Sequence, residues 1–330
     1  MPVTPRLVLA CALLAGGLSA CGSEADEDKP TSATSGSFPI TVENCGTVVT
    51  FESAPERIVL LKSAAVPYLH ELGVMDRVTA RAGQYPAEYY DDETLAELDD
   101  IELLTDETGA SGHLQISKEV VISQEPDLVL GQVDNLSRET LAAVDIPLLE
   151  EPAMCEEGID DPGFDDVYTQ LEAYGRVFGR EAEASAAVAE LKDRTAEVQA
   201  GVGQASGRTA AVLYPTVGGG TTYAYGAKSM ADPQLRTAGF ENAFGDVDDR
   251  VFEVTLEELL GRDPDVLILL YGDGDPAEVE KAVTDLPGAE ELTAVRNGDL
   301  MTQLFNFTEP PTPLSIDGVE RIVERFGSGE

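Results

Sequence analysis

The chain has 330 residues, enough for two domains, and its 43% hydrophobic and 25% charged residues form an ordinary globular balance that excludes a largely disordered polymer. Its 62 acidic residues against 21 basic ones give a formal charge of -41, which disfavours nucleic acid as a partner and repels an anionic membrane surface. Such acidity reads foremost as a solvated surface suited to a salty medium.

At the N-terminus, one positive side chain at Arg6 precedes a mostly apolar stretch from Leu7 to Leu18, too short to span a bilayer and of the length of a signal peptide. It ends Leu18-Ser19-Ala20-Cys21-Gly22, which resembles the lipobox of bacterial lipoproteins. The resemblance implies that residues 1–20 are removed and that Cys21 becomes a diacylglyceryl-bearing N-terminus, because stable anchoring needs two acyl chains or more. Residues 21–37, rich in Gly, Ser, Thr and acids, read as a solvated tether. With Cys11 in the signal and Cys21 committed to lipid, Cys45 and Cys155 remain as an even pair in an oxidising compartment. A disulfide between them is expected; closing a loop of about 100 residues contributes on the order of 4 to 5 kcal/mol in the chain-entropy picture.

Along the chain, short aliphatic runs at Ile58–Leu61, Val78–Arg81, Leu128–Leu130 and Pro147–Leu149 alternate with helical patterns, the first helix carrying Val66, Leu69 and Leu72 on one face before Gly73. Unbroken apolar strands of this kind suit a parallel sheet covered on both faces. From Phe164 the period becomes helical through Val167, Leu171, Tyr174 and Phe178; after Gly179-Arg180 a second stretch, Glu181 to Val202, lacks strong breakers and extends roughly 30 Å as a helix. Strands resume at Thr209–Tyr214, Val266–Leu270 and Leu300–Thr302, with a helix around Pro233–Ala238 and a last one from about Ser315.

One phrase occurs twice. SKEVVISQEPDLVL from Ser117 and TLEELLGRDPDVLI from Thr255 align on Pro126 and Pro264, each giving a capping hydroxyl, a short helix, an acid-Pro stop and a buried strand. The second copy has a capping-box acid, Glu258, where the first has Val120. The repeat predicts two related α/β lobes of parallel sheet, joined by the long helix. The expected layout is an N-terminal lobe over 38–160, a linking helical segment over 161–203 and a C-terminal lobe over 204–330.

Lipobox, tether, FPITVENCGTVVTFESAPERIVLL, the paired helix-Pro-Asp-strand phrases, the central helix and LFNFTEPPTPLSIDGVERI together resemble the class III substrate-binding lipoproteins of ABC importers for ferric siderophores, haem and cobalamin. The resemblance spans about Phe38 to Phe326 and implies two parallel-sheet α/β lobes joined by a single long helix, with the ligand in a cleft between the lobes. It implies a monomer held outside the cell membrane by its N-terminal lipid alone, which captures a chelated Fe(III) compound and hands it to a dimeric ABC permease. It also implies that Glu119 and Glu257, in the first turns of the two repeat helices, engage arginines on the two permease subunits; the plain alternative is that acids favour helix starts.

Ligands of open α/β sheets sit beyond the carboxyl ends of strands. Those positions hold Lys62, Ser63, Arg81, Gln84, Tyr85 and Gln132 in the first lobe and Tyr214, Tyr223, Tyr225, Tyr271, Phe305, Asn306 and Phe307 in the second. The set is strongly aromatic and suits a large, partly apolar chelate, with Lys62 and Arg81 available for its negative charge and Arg81 and Tyr225 the leading candidates. A bare transition metal would call for histidines, and the sequence has only His70, placed within a helix, and His113, near the cleft rim. No cofactor and no protein metal site are expected. An enzyme is disfavoured: Gly226-Ala227-Lys228-Ser229 breaks the P-loop pattern and no nucleophile elbow or His-Glu-x-x-His site occurs, so a hydrolase ranks below a haem or cobalamin receptor.

Overall fold

The computed structural model describes residues 38–109, 113–202 and 207–327. The lipobox cysteine Cys21, the signal segment and the tether lie outside the described residues. A hairpin of β1 (Ile40–Asn44) and β2 (Thr47–Phe51) opens the fold. The first lobe then runs β3 (Ile58–Leu60), α1 (Val66–Glu71), β4 (Val78–Ala82), α2 (Asp92–Asp99), β5 (Glu102–Thr105), α3 (Lys118–Ile122), β6 (Leu128–Leu130), α4 (Arg138–Ala142) and β7 (Leu148–Leu149). Two helices follow, α5 (Phe164–Phe178) and α6 (Glu181–Val202). The second lobe comprises β8 (Thr209–Pro215), β9 (Thr222–Tyr225), α7 (Ala231–Thr237), β10 (Glu241–Asn242), β11 (Val251–Val254), α8 (Leu256–Arg262), β12 (Val266–Tyr271), α9 (Pro276–Thr284), α10 (Thr293–Asn297), β13 (Leu300–Leu304) and α11 (Leu314–Phe326).

The first sheet has the order β5-β4-β3-β6-β7 and is parallel throughout. Its strands are apolar because both faces are covered: Ile58, Leu60, Leu128 and Leu130 point into one core while Val59 and Val129 point into the other. The second sheet, β11-β9-β8-β12-β13 with β10 beside β8, keeps the same parallel centre but adds β9 and β11 antiparallel to their neighbours. The parallel centre is the expected one, and the antiparallel edge is added to it. Alternation recurs there too, with Ala210, Val212 and Ile268 in one core and Ala211, Leu213 and Leu267 in the other.

Both copies of the repeated phrase fold alike. Ser117 Oγ accepts from the Val120 amide at 3.3 Å, and Thr255 Oγ1 accepts from the Glu258 amide at 3.2 Å while Glu258 reaches back to the Thr255 amide at 2.9 Å. Each helix stops through an acid with left-handed backbone, Glu125 at φ 49 and Asp263 at φ 42, directly before the proline. The next aspartate fastens the sheet. Asp127 accepts from the Glu56 and Arg57 amides at 2.9 Å just before β3, and Asp265 accepts from the Thr209 amide at 2.8 Å at the start of β8.

Helices α5 and α6 carry the chain between the lobes. Val167, Leu171, Tyr174, Val188 and Leu191 fill the first core, whereas Val198 near the end of α6 packs against the second. Helix α11 returns across the same seam, placing Ile316 in the first core and Val319, Ile322 and Phe326 in the second. Each fully buried aliphatic side chain contributes about 1.5 to 3 kcal/mol, so α11, with Ile316 in one core and Val319 and Ile322 in the other, ties the lobes together strongly. Gly318 permits the approach: a side chain there would collide with the Phe307 carbonyl. Arg194 of α6 pairs with Glu320 at 2.8 Å and with Asp317, both on α11.

Candidate functional site

Parallel strands deliver their carboxyl ends to the seam between the lobes, and a cavity of about 600 Å³ lies there. From the first lobe it is walled by Ser63 after β3, by Gln84 and Pro86 after β4, and by Tyr89 and His113. The second lobe supplies Tyr214 on β8, Tyr223 and Tyr225 on β9, Val251 on β11, Gly272 after β12, and Phe305 and Asn306 after β13. Of the sequence candidates, Tyr214, Tyr223, Tyr225, Phe305 and Asn306 therefore share this cavity, together with Ser63 and Gln84.

Aromatic contacts shape the wall. Tyr214 and Phe305 meet edge to face at 6.0 Å, and Tyr89 meets Phe307 in the same manner at 5.1 Å. A Cβ at Gly272 would come within 3.2 Å of the Tyr214 hydroxyl, so glycine leaves the room that this close approach needs. Burial raises the pKa of the Tyr89, Tyr214 and Tyr225 phenols, helped at Tyr225 by the neighbouring Glu309 carboxylate. They stand as neutral O–H groups, suited to hydrogen bonding.

Asn306 joins the lobes at the cavity wall. Its amide donates to the Tyr89 hydroxyl at 2.9 Å and its side chain donates to Ser63 Oγ at 2.9 Å. Nearer solvent, Gln84 Nε2 donates to Asp273 Oδ2 at 3.3 Å across the same seam. The Tyr68 hydroxyl donates to the Pro311 carbonyl at 2.9 Å, which fastens α1 to the segment leading into α11.

The remaining candidates, the two cations among them, lie outside the wall of this cavity. Lys62 bonds Glu150 at 2.7 Å and lines a smaller adjoining chamber. Arg81 stacks 5.0 Å from the Tyr85 ring centre, and Tyr85 turns its hydroxyl to the Ala82 carbonyl at 3.2 Å and packs on the first core. Alternation along β4 is the reason: Arg81 and its neighbours project to opposite faces, and position alone did not say which face met the seam. Gln132 lines a third pocket beside Cys45 and Cys155, its amide bonded to Glu150 at 2.7 Å. Tyr271 packs beside Tyr89, Leu304 and Phe307 and is absent from the cavity wall.

Tyr89, Val251 and Gly272 escaped the sequence reading. Tyr89 sits in the cluster YPAEYY, an aromatic signal that was available but lay several residues past its strand. Val251 enters only because β11 pairs with β9, a non-local contact with no periodic signature. Just before β11, Arg250 holds the fully buried Glu309 at 3.2 Å, and the other carboxylate oxygen accepts from the Met230 amide at 2.8 Å. This pair supports the wall behind Tyr225.

His113 reaches the cavity rim with Nδ1 2.8 Å from Asp134, both side chains largely exposed. His70 sits elsewhere, half-buried against Glu97 at 2.7 Å, where the carboxylate raises its pKa against the opposing effect of burial. Among the described residues no group of three His, Cys, Asp or Glu side chains is placed to hold a metal ion. Cys45 and Cys155 are joined by a disulfide with Cα atoms 5.2 Å apart, linking the β1–β2 turn to the segment after β7. Glu119 and Glu257 are exposed in the first turns of α3 and α8, one in each lobe.

The sequence matches the model of a family described as periplasmic binding protein over residues 58–303. Among curated proteins it is 26% identical to a cobalamin-binding protein of Halobacterium salinarum, covering 88% of this chain and 74% of that one. It is also 26% identical to the uncharacterized ABC transporter substrate-binding lipoprotein YvrC of Bacillus subtilis, over 96% of this chain and 94% of that one. Among solved structures, an ABC-type Fe3+-hydroxamate transport system from Saccharomonospora viridis is 58% identical with a TM-score of 0.84, covering 88% of this chain and all of that one.

Proposed function

The chain belongs to the periplasmic binding protein family and is a solute-binding protein of an ABC importer, and from that premise we propose that its cargo is a ferric siderophore of the trihydroxamate class, whose iron centre is neutral. The observation that carries this reading is the chemistry of the cavity wall. Among the described residues that line it there is no Lys, Arg, Asp or Glu, only phenols, amides, a serine, apolar groups and the rim histidine. Fe(III) held by three singly charged hydroxamates is neutral overall, and O–H and N–H donors on the wall match its ring of oxygen acceptors. A tricatecholate chelate or a haem brings net negative charge into a wall without cations, on a chain of formal charge -41. Likeness to the Fe3+-hydroxamate transport system from Saccharomonospora viridis, at 58% identity, supports the same cargo.

A cobalamin cargo is the second reading, favoured by the name of the Halobacterium salinarum relative. Delivery is proposed to follow from a lipid anchor at Cys21 and from permease docking through Glu119 and Glu257. Thermal unfolding of the tether-trimmed protein separates the cargoes, since a ligand that binds only the folded state raises Tm by mass action. Ferric trihydroxamates are expected to raise Tm by several degrees, with ferric tricatecholates and haem inert. A shift with cobalamin alone would overturn the hydroxamate reading in favour of the second.

A further inference from the structure

Beside the main cavity lies a chamber of about 260 Å³ whose wall shares Ser63, Gln84, Phe305 and Asn306 with it. The chamber differs in chemistry because Lys62, Glu150 and Glu151 line it. Glu150 is fully engaged: its carboxylate takes the Lys62 ammonium at 2.7 Å, the Gln132 amide at 2.7 Å and the Glu151 amide at 2.9 Å. Asn44 clamps the backbone of the same residue, donating to its carbonyl at 2.7 Å and accepting from its amide at 2.9 Å. Glu151 is engaged on one side only. Its Oε1 accepts from the Tyr174 hydroxyl at 3.1 Å, while Oε2 is buried without a hydrogen-bond partner among the described residues, in a residue only 4% exposed. A buried carboxyl oxygen left unmatched is costly and uncommon, so this one calls for a reason.

We propose that this chamber receives a primary ammonium carried on an arm of the chelate, with Glu151 as its acceptor. The inference rests on the trihydroxamate reading, since it assigns the arm of that cargo. Charge balance supports an ammonium. Among the described residues Lys62 answers Glu150, and Glu151 is left as the chamber's acid without a cationic partner. The groups facing Glu151 are Glu150 on its own segment, Lys62 after β3, Tyr68 on α1 and Tyr174 on α5, and of these only Lys62 is a cation. Burial first, then the Glu150 charge, push its carboxyl up to about 8, so at neutral pH it carries a proton and the chamber is electrically balanced. An ammonium that enters displaces that proton to solvent and leaves the chamber balanced again, with a charge-assisted hydrogen bond in place of the unmatched oxygen. One proton leaves for each ammonium bound, so affinity rises with pH, by about tenfold per unit below pH 8.

Two chelates with the same iron centre test this. Ferrioxamine B ends in a primary ammonium, and its N-acetyl derivative ends in a neutral amide. Titrated into the wild-type protein, ferrioxamine B is expected to bind at least tenfold more tightly than the acetylated chelate at pH 8, and the margin is expected to collapse at pH 6. The acetylated chelate should show little pH dependence. In Glu151→Gln, whose folding is checked by its thermal transition, the two chelates should bind alike at both pH values. Equal affinities in the wild type at pH 8, or tighter binding of the acetylated form there, would overturn the ammonium site while leaving the cargo class intact. Binding of neither chelate would overturn both, and would be distinguishable because the acetylated form does not need the chamber.

Discussion

The two lobes start from one plan and differ where function needs them to. Each has a capped repeat helix, an acid in the left-handed region before proline, and an aspartate that pins the neighbouring strand, Asp127 before β3 and Asp265 at β8. Around that shared centre the first lobe stays parallel to its edges, and its extra hairpin is bonded by disulfide to the segment carrying Glu150 and Glu151. The second lobe instead turns its chain back through β9 and β11, and this antiparallel edge brings Tyr223, Tyr225 and Val251 to the cavity. Shared parts hold the sheets and present one exposed acid per lobe; the divergent parts make the cavity, aromatic on one side and carboxyl-bearing in the chamber on the other.

Three experiments break or sharpen that contrast. The largest effect concerns what the lobes have in common. If Glu119 and Glu257 act as a matched pair toward the two permease subunits, reversing both to Lys should abolish import in a transport assay while ligand affinity, read by titration, stays within about twofold. Loss of affinity instead would place these acids in the binding site and end the docking reading. Either single reversal should leave an intermediate rate, and a difference between the two would measure how unequal the halves are.

An intermediate effect belongs to the first lobe alone. Replacing Cys155 by Ser removes the covalent link between the hairpin and the segment after β7, and denaturant unfolding should show a loss of about 2 to 5 kcal/mol. Because that segment carries Glu150, whose backbone Asn44 also clamps, the loss should be accompanied by weaker binding of an ammonium-bearing chelate. Unchanged stability would mean that Asn44 and the β-hairpin contacts suffice without the crosslink.

The smallest effect compares the two caps. Thr255→Ala deletes the centre of a reciprocal capping box, whereas Ser117→Ala deletes a single 3.3 Å bond. Both should destabilise by about 0.5 to 2 kcal/mol, with Thr255→Ala the larger. The reverse order in thermal unfolding would show that burial around α3 outweighs cap chemistry.

Much of the architecture was legible because it is local. Leu128–Leu130 as a strand, helix α11 beginning within a residue of Ser315, and the stops at Glu125-Pro126 and Asp263-Pro264 all follow from apolar runs, periodicity and proline sterics. The short edge strands β5, β10 and β11 carried no such signal, because an edge strand is defined by its neighbour more than by its own residues. Tyr214, Phe305 and Asn306 could be placed at the seam from position alone, since the carboxyl ends of the parallel strands face it, whereas Tyr223 and Tyr225 reach the cavity through the antiparallel β9. Lys62 and Arg81 stood at strand ends as well, yet one is taken by Glu150, 88 residues away, and the other by stacking on Tyr85.

The amino-acid sequence by itself determined the repeat, the parallel strand cores, the connecting helix and the aromatic character of the site, because each depends on residues within a few turns of one another. It took the packing of the lobes to decide that the described residues of the cavity wall include no Lys, Arg, Asp or Glu, that Asn306 ties Ser63 and Tyr89 across the lobes, and that Glu151 keeps one oxygen unmatched among the described residues. Those are properties of groups far apart in the chain. Which charge meets which, and how much water is excluded around them, is set when the two lobes pack.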